Sequence, residues 1–422
     1  MFTLCCVSVA IAIKSLLYAF GCGTGTTTFI DLIFVILTVP SLYADIQKDR
    51  SISFALKPII IGLLFRIALL LWDLYGRTIF ILPNSANDSE MFYSMAVSYA
   101  QNGSSAREGT FQNMMGRIFS FIGPSRVYGQ FIVVLFSIVS LVFFARMLSK
   151  VDIPNYNKSF AIWLVALLPN YAILSSIFLR ESVISMFITI SFWYFVKWMR
   201  GGKMLSFILA FVFAFTASSF HSGSAAVAIG YIVIVFLYDR RNKVFRFKAK
   251  NMITAIILIV IVAFLYINYG GVLFGKMQDI NSVDDVAQMN SSGGSSYAQY
   301  VGNSNNIINM IIFTPLRIVF FLFSPFPWQW RGLSDIIAFV FSSMFFLYVA
   351  WSDIRFLRSK EKKNRTLVIA LTIVAVCTVF VFAWGVSNTG TACRHRDKIT
   401  IIWGLLLALV YVPNRKIKKL GL

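Results

Sequence analysis

The chain has 422 residues, 58% of them hydrophobic and only 13% charged. Water-soluble domains carry about one-quarter charged residues, so an ordinary soluble enzyme, a disordered chain and a collagen-like chain are all excluded, and lipid is the solvent that fits. The net charge of +21, from 38 Lys and Arg against 17 Asp and Glu, raises nucleic acid as a partner until the positions of the bases are read.

A hydrocarbon core takes about 20 apolar residues per helix. In chain order the segments that approach this length are 2–20, 28–44, 57–75, 129–147, 160–177, 181–198, 204–220, 222–238, 252–269, 333–352, 366–386 and 399–414. The expected fold is therefore all-α: a single integral-membrane domain over residues 1–422, with about 12 transmembrane helices. The first segment carries Lys14 and lacks both a basic start and a small-residue cleavage site, so it reads as a span, not a signal peptide. Cys5, Cys6, Cys22, Cys377 and Cys393 have no metal-ligand spacing and mostly adjoin apolar runs, so neither a metal site nor a disulfide framework is expected.

The bases give the direction. With the N-terminus inside, the inner loops and adjoining span ends hold 25 Lys and Arg, including Arg240-Arg241-Asn242-Lys243, Lys360-Glu361-Lys362-Lys363 and Arg415-Lys416-Ile417-Lys418-Lys419. The outer segments hold 11, of which only Lys276 and Lys398 are lysine. Both termini are thus expected in the cytoplasm. The charge is topology signal and attraction to anionic lipid, and no nucleic-acid partner is implied. Arginine presents a planar fork that matches phosphate, which makes the clustered outer arginines candidates for phosphate recognition; isolated ones serve equally well as headgroup anchors.

The first large outer loop is 76–128. Met91, Phe92, Met95, Ala96 and Tyr99 share one helical face, so an amphipathic surface helix is expected there and a second over 111–122. Asp88 and Glu90 open the first helix. Ser85 and Asp88 fit a capping box, but two carboxylates in so acid-poor a chain also fit a site where a sugar hydroxyl is deprotonated at the interface. The second outer loop is 270–332. Its start is rich in Ser, Asn and Gly, holds Asp279, Asp284 and Asp285 without calcium-loop spacing, and reads as a solvated lid. The apolar stretch 306–323 is split by Pro315 and followed by Ser324-Pro-Phe-Pro-Trp328-Gln-Trp330-Arg331, which fits a re-entrant hairpin with Arg317 and Arg331 near a cavity mouth.

Four polar groups fall on the same expected side. They are Asp88 with Glu90; Arg180 with Glu181 at the opening of a span, after Pro169, Ser175 and Ser176; His221 in the Ser219-Phe-His-Ser-Gly223 turn; and Asn388-Thr-Gly-Thr-Ala-Cys-Arg394-His395-Arg396-Asp-Lys398. A lone turn histidine is ordinarily structural, and adjacent opposite charges at a span end ordinarily anchor it. The last segment is different: three fixed cations and an imidazole in five residues repel one another, and an anion would offset that cost.

Together these patches resemble two groups of multi-spanning proteins from bacterial surface-polysaccharide clusters, the glycosyltransferases of the C-type membrane fold and the O-antigen or capsule repeat-unit polymerases. The matching residues are Asn87-Asp-Ser-Glu-x-x-Tyr93-x-x-Ala96, Pro169 with Ser175-Ser176 and Leu179-Arg180-Glu181, Ser324-Pro-Phe-Pro-Trp328, and Asn388-x-Gly-Thr-Ala-x-Arg394-His-Arg396. By topology the resemblance covers most of the chain; by motif it covers only these patches, and the larger structured loop lies nearer the N-terminus than in many polymerases.

The resemblance implies glycosyl transfer at the extracytoplasmic face of the bacterial inner membrane, from a glycan carried on polyprenyl diphosphate, extending a capsule, exopolysaccharide or O-antigen. Arg180, Arg317, Arg394 and Arg396 would bind the diphosphate, and Asp88, Glu90 or His395 would take the acceptor proton, with His221, Glu181 and Asn388 nearby. Fixed arginines can stabilise the leaving group, so no cofactor or metal is expected. Membrane lipids and other polysaccharide-assembly proteins are the further partners. The rival classes are a lipid-linked oligosaccharide flippase, which would favour internal repeats and midplane charges, and an acyltransferase, which would favour a cytoplasmic catalytic histidine. The intramembrane charges Lys14, Asp31, Arg66 and Asp73 read as structural pairs, Lys14 with Asp31 and Arg66 with Asp73.

Overall fold

The computed structural model describes residues 2–22, 24–86, 88–103, 109–240, 242–246, 252–254, 256–261, 264, 268, 296–301 and 307–411. Most of the 270–305 segment expected to form a lid, Asn87 and the basic tail Arg415–Lys419 lie outside them.

The protein is helical, and its only strand pairing among the described residues joins β1 (Tyr238–Asp239) to β2 (Val244–Phe245). Among the described residues seven helices are long and apolar enough to cross a membrane: α1 (Phe2–Ala19), α2 (Thr24–Lys48), α3 (Leu56–Tyr75, continuing a 3-10 turn from Arg50), α6 (Arg126–Lys150), α9 (Glu181–Met199), α14 (Leu333–Arg358) and α15 (Arg365–Trp384). Between them lie α4 (Asp88–Asn102), α5 (Thr110–Ile122), α7 (Asn155–Leu167), α8 (Pro169–Leu174), α10 (Met204–Phe220), α11 (Ala226–Leu237), α12 (Ile307–Ile312) and α13 (Thr314–Phe323). α16 (Thr389–Asp397) and α17 (Thr400–Val410) close the chain. These lengths and compositions mark a membrane protein.

The exposed surface agrees. On α1 only Ala10 and Lys14 are buried, while Leu4, Val9, Leu16 and neighbouring apolar side chains stay open. Such a helix is stable only where its surroundings are as apolar as its side chains. The buried centre is made by α6 and α9, whose packed faces include Val133, Ile138, Phe144, Ile184, Ile188 and Phe192. Helix α17 packs so closely on α7 that a Cβ at Gly404 would stand 2.6 Å from Val165 Cγ2, inside van der Waals contact.

The apolar run 160–177 is not one helix. Leu168 leaves the helical region and Pro169 starts α8, because the residue before proline is pushed out of the α conformation. The chain then turns at 175–180 before α9. Residues 307–323 divide similarly at Phe313, one residue before Thr314-Pro315.

The intramembrane charges resolve into two patterns. Lys14 Nζ and Asp31 Oδ1 are 2.5 Å apart and both side chains are fully buried. Arg66 and Asp73, by contrast, do not pair. Arg66 donates to the carbonyls of Gly62 and Ala166 and to Ser175 Oγ, at 2.7–3.0 Å. Asp73 accepts from Arg77 at 2.9 Å, Gln130 at 2.6 Å and Ser85. Seven residues is two helical turns, about 10 Å, too far for direct contact along one helix.

The loops gather into two ends. At one end, Asn364 Nδ2 donates to Asp152 O (2.9 Å), Arg200 donates to Asn364 Oδ1 (3.2 Å) and Lys363 pairs with Asp152 (3.1 Å). At the other, Thr110 Oγ1 donates to Ser219 O (2.7 Å) and Tyr297 N to Ser387 O (2.7 Å).

Candidate active site

The second end holds the candidate site. Its outer wall is α4 packed on α5. Phe92 meets Phe111 with ring centroids 6.1 Å apart, and Arg117 Nε donates to Tyr99 OH at 3.1 Å. Ser85 is not a helix cap here: its hydroxyl is given to Asp73. That frees neither acid at the start of α4, because both are taken by arginines from elsewhere.

Glu90 and Asp88 go different ways. Glu90 Oε1 lies 2.6 Å from Arg77 and 2.9 Å from Arg126, which ties α4 to the ends of α3 and α6. Arg126 also stands 4.9 Å from the Tyr93 ring centroid, so its charge is shared between a carboxylate and an aromatic face. Asp88 instead pairs with Arg394 Nη1. Arg394 turns its other edge to Glu181, with Nε at 3.1 Å and Nη2 at 2.8 Å from Oε1. The Glu181 side chain is 4% exposed and that of Asp88 is 44%, so one carboxylate is a fixed support and the other faces solvent.

Helix α16 makes this possible because of its start. Asn388 Oδ1 accepts from Gly390 N (2.9 Å) and Thr391 N (3.3 Å), capping the helix that carries Arg394 and His395. Asn388 therefore acts on the backbone. Asp397, at the far end of α16, accepts from Asn170 Nδ2 at 2.6 Å and locks α16 to α8. Burial, resisted by Arg396 and Asn170, pushes the Asp397 carboxyl up to about 8.

Neighbouring residues on α16 point apart, and this divides the predicted arginines. Arg396 is fully buried and donates to Leu322 O (2.5 Å), Cys393 Sγ (2.8 Å) and Ser343 Oγ (3.2 Å), binding α16 to α13 and α14. Arg317, 1% exposed, also lies inside α13 near Tyr297. Arg331 pairs with Asp335 at 3.5 Å on the surface. Of the four predicted phosphate ligands, Arg180 and Arg394 share the cluster. Arg396 instead binds α16 to α13 and α14, and Arg317 is buried on α13.

The two histidines meet. His221 Nε2 and His395 Nε2 are 3.1 Å apart, with ring planes at 78°. The Phe382 ring backs both, at centroid distances of 5.8 Å from His221 and 5.1 Å from His395. Gly223 is required for this: a Cβ there would stand 2.6 Å from Phe382 Cε1 and 3.0 Å from His221 Cε1. Arg180 donates to Phe220 O at 3.3 Å, holding the turn before His221, and lies over Phe92 with its guanidinium carbon 5.7 Å from the ring centroid.

Lys398 stands among the clustered cations of 394–398 in the sequence analysis but receives no role in the site there. It is 1% exposed, and its ammonium has no hydrogen-bond partner among the described residues. Burial, reinforced by Arg180 and Arg394 against the opposing pull of Glu181, holds it well below the ordinary lysine range. Burial and then Lys398 likewise hold both imidazoles well below the usual histidine value. The signal in the sequence was its position one residue before the last apolar run; only its neighbours show that no carboxylate receives it. The cluster thus offers a supported guanidinium, a second arginine, an unpartnered amine and two neutral imidazoles beside a half-exposed carboxylate.

The chain matches no protein-family model, no curated protein and no solved structure.

Proposed function

We propose that the protein is a membrane glycosyltransferase that uses a polyprenyl-diphosphate-linked sugar or oligosaccharide and extends a capsule, exopolysaccharide or O-antigen chain. In this reading the chain crosses a bacterial inner membrane about 12 times with both termini in the cytoplasm, residues 306–331 re-enter from the outer face, and the cluster around Arg394 faces outward. The observation that carries the proposal is the meeting of Arg394 with both Asp88 and Glu181, because it joins the first loop, the start of α9 and the last loop in one electropositive cluster.

The chemistry follows from the electrostatics. Arg394, Arg180 and Lys398 face the diphosphate and stabilise the negative charge that grows on it as the bond from the anomeric carbon to oxygen breaks. An arriving phosphate exchanges for Asp88 on Arg394, since Asp88 is the exposed partner, while Glu181 keeps the guanidinium in place. The acceptor oxygen forms the new bond to the anomeric carbon and loses its proton to His395. Glu90 is less suited to that role, because two arginines hold it. Fixed cations are worth more here than in water, because few waters screen them.

The test is reconstitution of purified protein with a lipid-linked glycan, scored for released diphosphate lipid and for product length. Release that disappears in Arg394→Ala supports the reading. Movement of intact lipid-linked glycan across the bilayer, with no bond broken, would replace it with the flippase class.

A further inference from the structure

We infer that His221 and His395 work as one unit, a two-ring relay that removes the acceptor proton through one Nδ1 and discharges it through the other. The chain has only two histidines, and they are 174 positions apart in sequence, yet their Nε2 atoms stand 3.1 Å from each other. At that separation one proton, and only one, fits between them. One ring must donate from Nε2 and the other must accept there. The accepting ring then carries its own proton on Nδ1, and the donating ring presents a bare Nδ1 lone pair. The contact therefore forces opposite tautomers on the two rings. Neither Nδ1 has a hydrogen-bond partner among the described residues, although both atoms are buried. A buried nitrogen without a partner is costly, so it marks a place where a substrate or water hydrogen bond belongs.

The charges around the rings make this a conduit and not a store. Lys398 and Arg394 of the last loop and Arg180 at the start of α9 face both rings; Glu181 and Asp88 are spent on Arg394, and Phe382 of α15 supplies the apolar wall. Burial opposes a lasting imidazolium, and Lys398, Arg180 and Arg394 oppose it further. A proton taken up must leave again.

The step balances. As the acceptor oxygen bonds to the anomeric carbon, the bond from that carbon to the diphosphate oxygen breaks, the diphosphate leaves with the electron pair, and the acceptor proton moves to the bare Nδ1 of the first ring. The bridging proton shifts from the first Nε2 to the second. The second ring releases its Nδ1 proton to water. No net charge stays on the pair, and the two rings have exchanged tautomers. His221 is thereby given a part in turnover that a turn histidine would not have.

The relay takes its substrate from the glycosyl-transfer reading, whereas the forced tautomers do not depend on it, and the experiment separates the two. Protein labelled with nitrogen-15 histidine, purified on a tag free of histidine and held in lipid nanodiscs, gives just two rings to observe by NMR. The expected result is one ring protonated on Nε2 and the other on Nδ1, with scalar coupling across the Nε2–H···Nε2 bond that vanishes in His221→Gln. Two rings in the same tautomer, or two that titrate independently near the ordinary histidine value, overturn the pairing. With lipid-linked glycan as substrate, His221→Gln and His395→Gln should each lower kcat by about 10²- to 10⁴-fold at unchanged donor KM, and the double variant should be no slower than the worse single one. Full turnover by His221→Gln beside complementary tautomers overturns the relay alone. An unaltered protein that releases no diphosphate lipid overturns the glycosyl-transfer reading and the relay's substrate with it.

Discussion

Asp88 and Arg394 are separated by 306 positions and form an ion pair at the end of the helix bundle. Arg394 is shared with Glu181, which is buried, so the guanidinium is held from two sides and keeps its orientation when the exposed partner leaves. This doubling makes the two arginines of the Arg394-His395-Arg396 run experimentally separable.

Arg394→Ala should abolish transfer and also cost stability, because it strands the Glu181 carboxylate; breaking a buried pair from one side costs about 3–5 kcal/mol. The variant Arg394→Ala with Glu181→Gln should recover folding without recovering transfer. Arg396→Ala should act on folding first: it leaves the Leu322 carbonyl without its Arg396 donor, at about 1–3 kcal/mol for an unsatisfied group, while Ser343 keeps its bond to the Ser324 carbonyl. Thermal unfolding measured beside diphosphate-lipid release checks both. An Arg396→Ala protein of unaltered Tm but no activity would mean that Arg396 belongs to the site.

Asp88→Asn and Glu90→Gln should differ. Glu90 is partly exposed and salt-bridged, so its loss should change stability by no more than about 1 kcal/mol and leave most turnover. Asp88→Asn removes the carboxylate that shields Arg394 from non-productive anions, and its donor KM should rise in phosphate buffer. Measuring KM against phosphate concentration decides; identical profiles for the two variants would count against the division of labour.

The pH dependence of Asp397 has a definite sign. Its folded pKa, about 8, lies above the ordinary aspartate value of 3.8. The unfolded chain therefore loses this proton first, and the stability contributed by the neutral carboxyl, complete below about pH 4, is lost as the pH rises towards 8. Asp397→Asn should flatten the fall in Tm between pH 5 and 8 (roughly the window in which the folded group stays protonated) while keeping the Asn170 contact. A Tm that falls just as steeply in the variant would show that another group controls that range.

The imidazoles carry the opposite sign. Burial and Lys398 lower both, so the unfolded chain takes up protons first on acidification, and stability should fall as the pH drops below the ordinary histidine value of 6.5. His221→Gln with His395→Gln should remove that fall. A double variant as acid-sensitive as the unaltered protein would place the sensitivity elsewhere.

Lys14→Met should destabilise by about 3–5 kcal/mol, since it leaves the buried Asp31 without its ammonium partner while Ser125 still donates to it. Pairing it with Asp31→Leu should restore most of the loss. Yield and Tm in detergent report the outcome, and a single variant that folds as well as the double would show that the pair contributes nothing.

Much of the organisation was legible because its signals are local. Length and hydropathy mark helices that only lipid can accommodate; the Met91, Phe92, Met95, Ala96, Tyr99 stripe foretold α4; and the crowded cations of 394–398 pointed to an unusual site. Proline placement was legible too, but the consequence was not: Pro169 turned an apparent span into α7, α8 and a polar turn. Pairing was the least legible. Arg66 and Asp73 share a helix face and still find other partners, because hydrogen bonds to a carbonyl 100 residues away and a hydroxyl 109 away satisfy Arg66 better than an acid two turns along its own helix.

By itself the amino-acid order determined the solvent of this protein, its helical class and which residues are polar enough to matter, since each of these depends on short windows of side-chain chemistry. Only the tertiary structure decided that Arg394 reaches Asp88 while Arg396 goes to a carbonyl, that two distant histidines meet at Nε2, and that Lys398 has no hydrogen-bond acceptor among the described residues. Adjacent residues on a helix point about 100° apart, so which of them meets which distant element is set by how the helices pack, and packing is a property of the whole chain.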